Sequence, residues 1–451
     1  MKFEKILPSP FALAILLSVL SILLALVFTS SPADENHLVN ILSYWENGIW
    51  NEALLVFAYQ MMLILVLGHI LALSKPVQKL LDLLTGFVKN TSTAVVWVSF
   101  FTLIVAFFNW GLGLIFGALL VRKIGEKAAK EGFQLNYPLL GAAGYVGMMA
   151  WHGGMSGSAP LKAAEANHLP SLFSQEKLLQ LGSNLPDNIS TSETIFSIEN
   201  LLIFGILLIV IPAFLGWLSG KKHANSQSIF KRFQQTHIET EKGKIHFLEA
   251  SNGVGVLFGG LLLIAFGIQY STNILNLNLT PNMLNFFMLG LGFVLHRNLF
   301  QYKKALSEAI RGAGGILIQF PLYFGIMGIM KDSGLVSEIA FFLTSVANEQ
   351  FLPILTFVSA GLVNIFVPSG GGQWAIQGPI AIESGLDLGV PLPKMLMALA
   401  YGDQITNLLQ PFWALPLLAI TKLKAHEIFP YTVLLFLIGS IIFITGLLFV
   451  F

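Results

Sequence analysis

The chain has 451 residues, of which 55% are hydrophobic and 11% charged, and its mean hydropathy is +0.74. A soluble domain carries about 25% charged residues, so this composition belongs to an integral membrane protein. The formal net charge of +1 gives no ground for a nucleic-acid partner, and the lack of cysteine excludes disulfides, iron–sulfur clusters and thiol catalysis.

Apolar runs of about 20 residues, each long enough to cross about 30 Å of hydrocarbon as a helix, recur along the whole chain. Lys and Arg mark the connections expected in the cytoplasm. The first run, 11 to 29, follows Lys2 and Lys5; it exceeds a signal-peptide core and has no small-x-small cleavage site after it, so it reads as a span. Residues 30 to 52 hold Asp34, Glu35, Glu46 and Glu52 but no Lys or Arg, and are expected as an outer connection. The span 53 to 73 then returns to Lys75 and Lys79.

Residues 91 to 126 are basic at both ends, with Lys89 before them and Arg122 and Lys123 in their last turn, and are interrupted at "NWGLG", Asn109 to Gly113. This pattern predicts a re-entrant hairpin opening to the cytoplasm. Residues 137 to 166 read as a span broken at "AWHGGMSGSAP". In the polar outer loop that follows, "TSETIF" predicts a helix start with Ser190, Thr191 or Ser192 as cap and Glu193 in the first turn. The span 195 to 218 leads to Lys221, Lys222, Lys231, Arg232, Lys242 and Lys244, the strongest cytoplasmic signal in the chain. Spans at 254 to 270, 283 to 295 and 315 to 330 precede a second interrupted stretch, 352 to 386. A second broken span, 391 to 420, reaches Lys422 and Lys424, and a last span ends at Phe451. The N-terminus is thus expected in the cytoplasm and the C-terminus outside.

The halves align. Tyr145 pairs with Tyr401 and Pro160 with Pro416 at a spacing of 256 residues, Asn109 with Asn364 at 255, and Gln60 with Gln319 at 259. The expected architecture is all-α: a first repeat over 1–218, a loop and connecting span over 219–281, and an inverted second repeat over 282–451. Each repeat holds one hairpin (91–126, 352–386) and one broken helix (137–166, 391–420). Backbone freed at membrane depth is tolerated only inside protein or beside a water-filled cavity. The two hairpins and two breaks therefore define a small-solute site. In "VPSGGGQWAIQGP", Gly370, Gly371 and Gly372 are expected to form a nest of N–H groups ahead of a helix starting near Gln373, suited to a carboxylate.

The stretches "FFNWGLGLIFGALL", "YPLLGAAGYVGMMAWHGGMSGSAPL", "STSETIFSIEN", "VPSGGGQWAIQGP" and "YGDQITNLLQPFWALPLLAI" resemble signature stretches of the bacterial short-chain fatty acid transporter family, within a wider ion-transporter superfamily of inverted-repeat carriers. The resemblance covers almost the whole chain and is weakest over 221 to 250. It implies a multi-pass protein of the bacterial inner membrane, acetoacetate or butyrate as substrate, a homodimeric scaffold and an elevator-type motion.

Asp403 is the acidic residue placed well inside a span, where an uncompensated charge is costly and marks function. It is expected to couple an ion, as a sodium ligand together with Thr406 and Asn407 or as a proton acceptor, with Gln404 beside it. No resident cofactor is expected beyond Na+ or H+. In the first break His152, Gly154, Ser156 and Ser158 are candidate substrate contacts, with His152 either a proton shuttle or a neutral hydrogen-bonding group. At the hairpin tips Asn109, Gly111 and Gly113, and Asn364, Ser369, the three glycines and Gln373, complete the candidate set. Gln60 and Gln319 read as buried amides. Lys162 and Arg311 lie near the ends of apolar stretches, so few cations are placed deep, which favours one carboxylate over two. The chain lacks HExxH, GxSxG and a clustered Asp pair, which argues against an enzyme. The alternatives are a carrier of another small anion such as a dicarboxylate, or an anion channel.

Overall fold

The computed structural model describes residues 9–32, 35–181, 185–220, 246–275, 280–310, 313–345 and 347–451, and the regular elements among them are all helical. The basic loop from Lys221 to Lys244, together with Lys2, Lys5, Asp34 and Arg311, lies outside these residues. Among the described residues, helices Pro10–Phe28, Glu52–Leu73, Thr91–Phe108, Ile198–Ser219, Asn252–Thr272 and Ala425–Phe449 are long and apolar enough to cross a membrane.

The first hairpin turns on one residue. Helix Thr91–Phe108 ends at Asn109, whose extended backbone (φ −155°, ψ 124°) lets its Oδ1 accept the Leu112 N–H at 3.0 Å and start helix Trp110–Glu131. In the second hairpin, helices Leu352–Phe366 and Gly370–Leu388 are separated by Val367, Pro368 and Ser369. The second arm begins at Gly370 rather than near Gln373, with the Ser369 hydroxyl accepting the Gly372 N–H at 3.3 Å. Gly370, Gly371 and Gly372 have no positive φ. They form the first turn of a helix, so the expected nest is corrected to a helix N-terminus.

Both broken spans break where their sequences withhold helical backbone. Tyr137–Ala143 gives way to a 3-10 turn, Val146–Met149, then an irregular stretch through the glycines and a short helix, Ser158–Ala163. Leu392–Thr406 passes into a 3-10 turn at Asn407–Leu409 and resumes at Pro411–Thr421. Pro411 has no N–H to donate and holds Gln410 extended.

Two expectations are revised. "TSETIF" closes a turn of its own, in which Glu193 accepts the Ser190 N–H at 3.0 Å, and the helix begins only at Ile198, with Ser197 capping Asn200 N at 3.2 Å. The acidic segment read as an outer connection contains helix His37–Ile49, capped by Asn36 and packed on Gly314–Asp332. The two helices meet on glycine: a Cβ on Gly48 would stand 2.4 Å from the Phe324 carbonyl oxygen, and one on Gly328 2.2 Å from that of Tyr44. Gly48→Val is therefore expected to cost about 1–3 kcal/mol by forcing these backbones apart. Thermal denaturation of the purified protein checks this, and an unchanged midpoint would show that the contact is slack.

The halves exchange partners reciprocally. Pro10–Phe28 and His37–Ile49 pack on Gly314–Asp332 of the second half, while Pro281–His296 and Leu299–Ala309 pack on Glu52–Leu73 of the first. These helices form a scaffold. The hairpins, the broken spans, Ile198–Ser219 and Ala425–Phe449 pack together as a second body, and Asn252–Leu275 rests mainly on Pro281–His296.

Candidate functional site

The two breaks meet at a buried acid and imidazole. His152 Nδ1 bonds Asp403 Oδ2, and both side chains are at most 1% exposed. Ala159 N–H donates to His152 Nε2 at 3.0 Å. That nitrogen therefore carries no proton, and Nδ1–H is the donor to the carboxylate. His152 is a neutral positioning group, and Asp403 Oδ1 is the carboxyl oxygen left to meet a proton or a cation.

Each break is tied by side chains of the other half. Gln404 Oε1 accepts from the backbone N–H groups of His152 at 2.8 Å and Gly153 at 3.0 Å. Tyr145 donates to the Asn407 carbonyl at 2.9 Å. Its repeat partner Tyr401 donates to Asn200 Oδ1 at 2.7 Å, and Asn200 Nδ2 holds the Gly153 carbonyl at 2.8 Å. The Asn364 amide nitrogen reaches Asp403 O at 2.6 Å, Thr406 Oγ1 at 2.9 Å and Asn407 Oδ1 at 2.8 Å, and the Gln410 amide donates to Asn364 O.

This network leaves acceptors without donors. Asp403 Oδ1, Asn364 Oδ1 and Gln410 Oε1 are buried without a hydrogen bond, alongside one donor, Asn407 Nδ2. Unmade bonds to buried polar atoms cost about 1–3 kcal/mol each, more for a charged atom. A carboxylate oxygen with neutral amide oxygens in one network is the ligand chemistry of a hard monovalent or divalent cation. No group of three His, Asp or Glu side chains is placed to hold a transition metal among the described residues.

Beside this pair lies the start of the second hairpin's second arm. A Cβ on Gly370 would be 2.8 Å from His152 Cε1, 2.8 Å from the Trp151 ring and 3.0 Å from Asp403 Oδ2. Gly371 has only Ser158 Cβ nearby, at 3.8 Å, and is exposed. Pro368 lacks an N–H and Ser369 Oγ takes that of Gly372, so the N–H groups of Gly370 and Gly371 are left free at the positive end of a 19-residue helix.

An apolar cleft lies between scaffold and second body, and its Trp110 wall is linked to Gly370 through Trp151, whose ring centroid is 6.2 Å from that of Trp110. Its walls include Ile64 and Phe320 on one side and Trp110, Gly111, Phe412 and Trp413 on the other, and it encloses about 10 Å³. Trp110 stands edge-on to Trp413 at 5.3 Å, while Trp151 stacks on His152 at 4.5 Å. The indole N–H groups of Trp151 and Trp413 are buried without acceptors.

Not every expected contact faces this region. Gly113 and Gly154 are packing glycines, whose Cβ atoms would lie 2.5 Å from Ala106 Cα and 2.4 Å from the Phe107 carbonyl oxygen. Ser156 accepts the Trp110 N–H at 3.0 Å, so it caps the first hairpin's second arm as Asn109 does. Gln373 braces its own hairpin through Ala360 O at 2.8 Å and Gln377 at 2.7 Å. Gln60 is half-buried and joins Asn282 at 2.9 Å within the scaffold, whereas Gln319 Oε1 is buried without a partner. Lys162 pairs with Glu165 at the surface. Sequence reasoning missed Trp151, Trp413, Tyr145 and Asn200 as site residues, although the tryptophans flank the polar motifs.

An all-helical chain with two hairpins, two interrupted helices and a buried carboxylate at their junction defines a membrane transporter rather than an enzyme. The sequence profile of the family described as short chain fatty acid transporter matches residues 1–450. Proteins named as short-chain fatty acid transporters from Escherichia coli (strain K12) and Haemophilus influenzae (strain ATCC 51907 / DSM 11121 / KW20 / Rd) are each 36% identical to this chain. The match covers 98% of this chain and 96% of the first relative, and 99% and 97% for the second. The chain belongs to the short-chain fatty acid transporter family. Two solved transporters, YdaH of Alcanivorax borkumensis and MtrF of Neisseria gonorrhoeae, are 16% identical with TM-scores of 0.44 and 0.41. They cover 98% and 97% of this chain, and 97% and 95% of their own.

Proposed function

We propose that the protein is a carrier of short-chain monocarboxylates such as acetoacetate and butyrate, coupled to a cation gradient, with sodium the ion its site favours. The observation that carries this reading is the free, buried Oδ1 of Asp403 beside a neutral His152. The substrate carboxylate takes the free N–H groups of Gly370 and Gly371, and its short chain lies in the tryptophan-walled cleft, where each buried methylene contributes about 0.8 kcal/mol. No Lys or Arg is buried among the described residues, so a second carboxylate would lack a counter-charge.

Coupling follows from charge. Two negative charges about 5 Å apart repel by about 3 kcal/mol at an effective dielectric near 20, so Asp403 alone opposes the substrate at Gly370. A cation on Asp403 removes that repulsion, which makes binding of ion and acid mutually dependent by roughly 100-fold. The closed cleft supports a reading in which the hairpin body moves against the scaffold to admit substrate. The family resemblance supports an elevator motion, a homodimer and an inner-membrane location, and the Lys and Arg pattern supports a cytoplasmic N-terminus.

Counterflow in proteoliposomes tests the carrier and its substrate class. Vesicles loaded with unlabelled butyrate are expected to take up labelled butyrate or acetoacetate transiently and saturably, and succinate loading is expected to fail. Equal exchange with succinate, or flux that does not saturate, would reject the proposal. Gly371→Leu, which adds bulk where the structure leaves space, is expected to raise the half-saturating acid concentration about tenfold with unchanged folding. An unchanged value would remove this turn from the substrate site.

A further inference from the structure

We propose that the scaffold carries a separate site for the phosphate of an anionic phospholipid headgroup. At the end of the molecule where Glu52–Leu73 and Pro281–His296 finish, a cavity of about 770 Å³ is bordered by Lys75, Lys79, Arg297 and Lys304. All four side chains are exposed and make no ion pair among the described residues. The acid in the wall, Glu308, is engaged by Arg122 of the first hairpin at 3.1 Å. The cavity therefore presents four uncompensated positive charges to one space, the chemistry that recognises phosphate oxygens.

Arg297 is held in a conformation that no span packing requires of its side chain. Its φ of 68° lies in the left-handed region, and such a residue persists only where its surroundings hold it. Here Gly255 does so: a Cβ there would stand 2.2 Å from the Arg297 carbonyl oxygen, and Asn298 bonds Asn252 at 3.0 Å across the same turn. Arg297 at this turn is exposed and lines the same cavity as Lys304.

Two features favour a lipid over free phosphate. The cavity wall also holds Leu73, Pro76 and Leu295, and the adjoining span Asn252–Leu275 leaves Leu257, Leu261, Ile264 and Ile268 between 57% and 75% exposed. Acyl chains can lie along that face while the headgroup enters the basic space, the arrangement typical of basic pockets between membrane helices. Because Glu308 joins the cavity to Arg122 of the moving hairpin, an occupant is placed to influence transport.

The test is the melting midpoint of the purified protein in neutral detergent with phosphatidylglycerol, phosphatidylcholine or sodium phosphate added. Phosphatidylglycerol is expected to raise the midpoint by about 3–6 °C more than phosphatidylcholine, with no comparable effect of phosphate. The double variant Arg297→Gln, Lys304→Gln is expected to lose that difference, and Lys75→Gln, Lys79→Gln in the same cavity to do so should the first fail to fold. Equal shifts from both lipids would overturn the proposal, as would a difference kept by a folded double variant. An equal shift from phosphate alone would assign the cavity to a soluble anion and overturn the lipid reading.

Discussion

Asp403→Asn is expected to abolish gradient-driven accumulation of short-chain acid while leaving counterflow intact. The substitution preserves volume and the bond to His152, so the two broken spans stay joined. It removes the charge that attracts the cation and repels the substrate carboxylate. Losing a charge partner at a buried site costs about 2–5 kcal/mol, which converts to a cation affinity weaker by at least about 30-fold. Without the repulsion, acid binding no longer needs the ion, and the carrier becomes a uniporter. Accumulation that still follows the ion gradient in this variant would remove Asp403 from the coupling role.

Gly370→Ala is expected to be nearly as damaging, by a different route. The new methyl would enter at 2.8 Å from His152 and Trp151 and 3.0 Å from Asp403 Oδ2. These rings are stacked and buried, so they have little freedom to yield. Either the second hairpin withdraws from the first break or the His152–Asp403 bond is lost. Overpacking of this kind costs about 1–3 kcal/mol, and near the ion site it should reduce both counterflow and accumulation by at least tenfold. Gly371→Ala is the matched control, since only ordinary contact with Ser158 awaits it. Equal activity of the two variants would show that the close approach at Gly370 is not needed for transport.

Much of this arrangement was legible in the sequence because membrane depth makes irregular backbone conspicuous. Asn109, the Gly–Pro interruptions and the single deep carboxylate each break a rule that apolar helices otherwise obey, whereas Asn364, expected at the second tip, lies inside helix Leu352–Phe366 and leaves the cap to Ser369. The register that pairs Tyr145 with Tyr401 has a structural counterpart, since the Tyr145 hydroxyl bonds the opposite break directly and that of Tyr401 reaches it through Asn200. What escaped was whatever depends on proximity between halves. Nothing in "AWHGG" or "YGDQITN" alone states that His152 meets Asp403, or that Ala159 fixes the tautomer in which Nδ1 is the donor to it. The glycines were misread for a related reason: Gly113 and Gly154 carry the same local signal as Gly370, and only the facing backbone distinguishes a packing contact from a binding turn. Helix His37–Ile49 was hidden by its acidic, polar composition, although Ile41, Trp45 and Ile49 recur at helical spacing.

The measurement that bears most directly on the central claim is uptake of labelled acetoacetate and butyrate into proteoliposomes under an imposed sodium gradient, run beside an imposed proton gradient and protein-free vesicles. The account predicts protein-dependent accumulation above the equilibrium level with the sodium gradient, and none with Asp403→Asn. Accumulation that follows only the proton gradient, or equilibration indifferent to both, would contradict it.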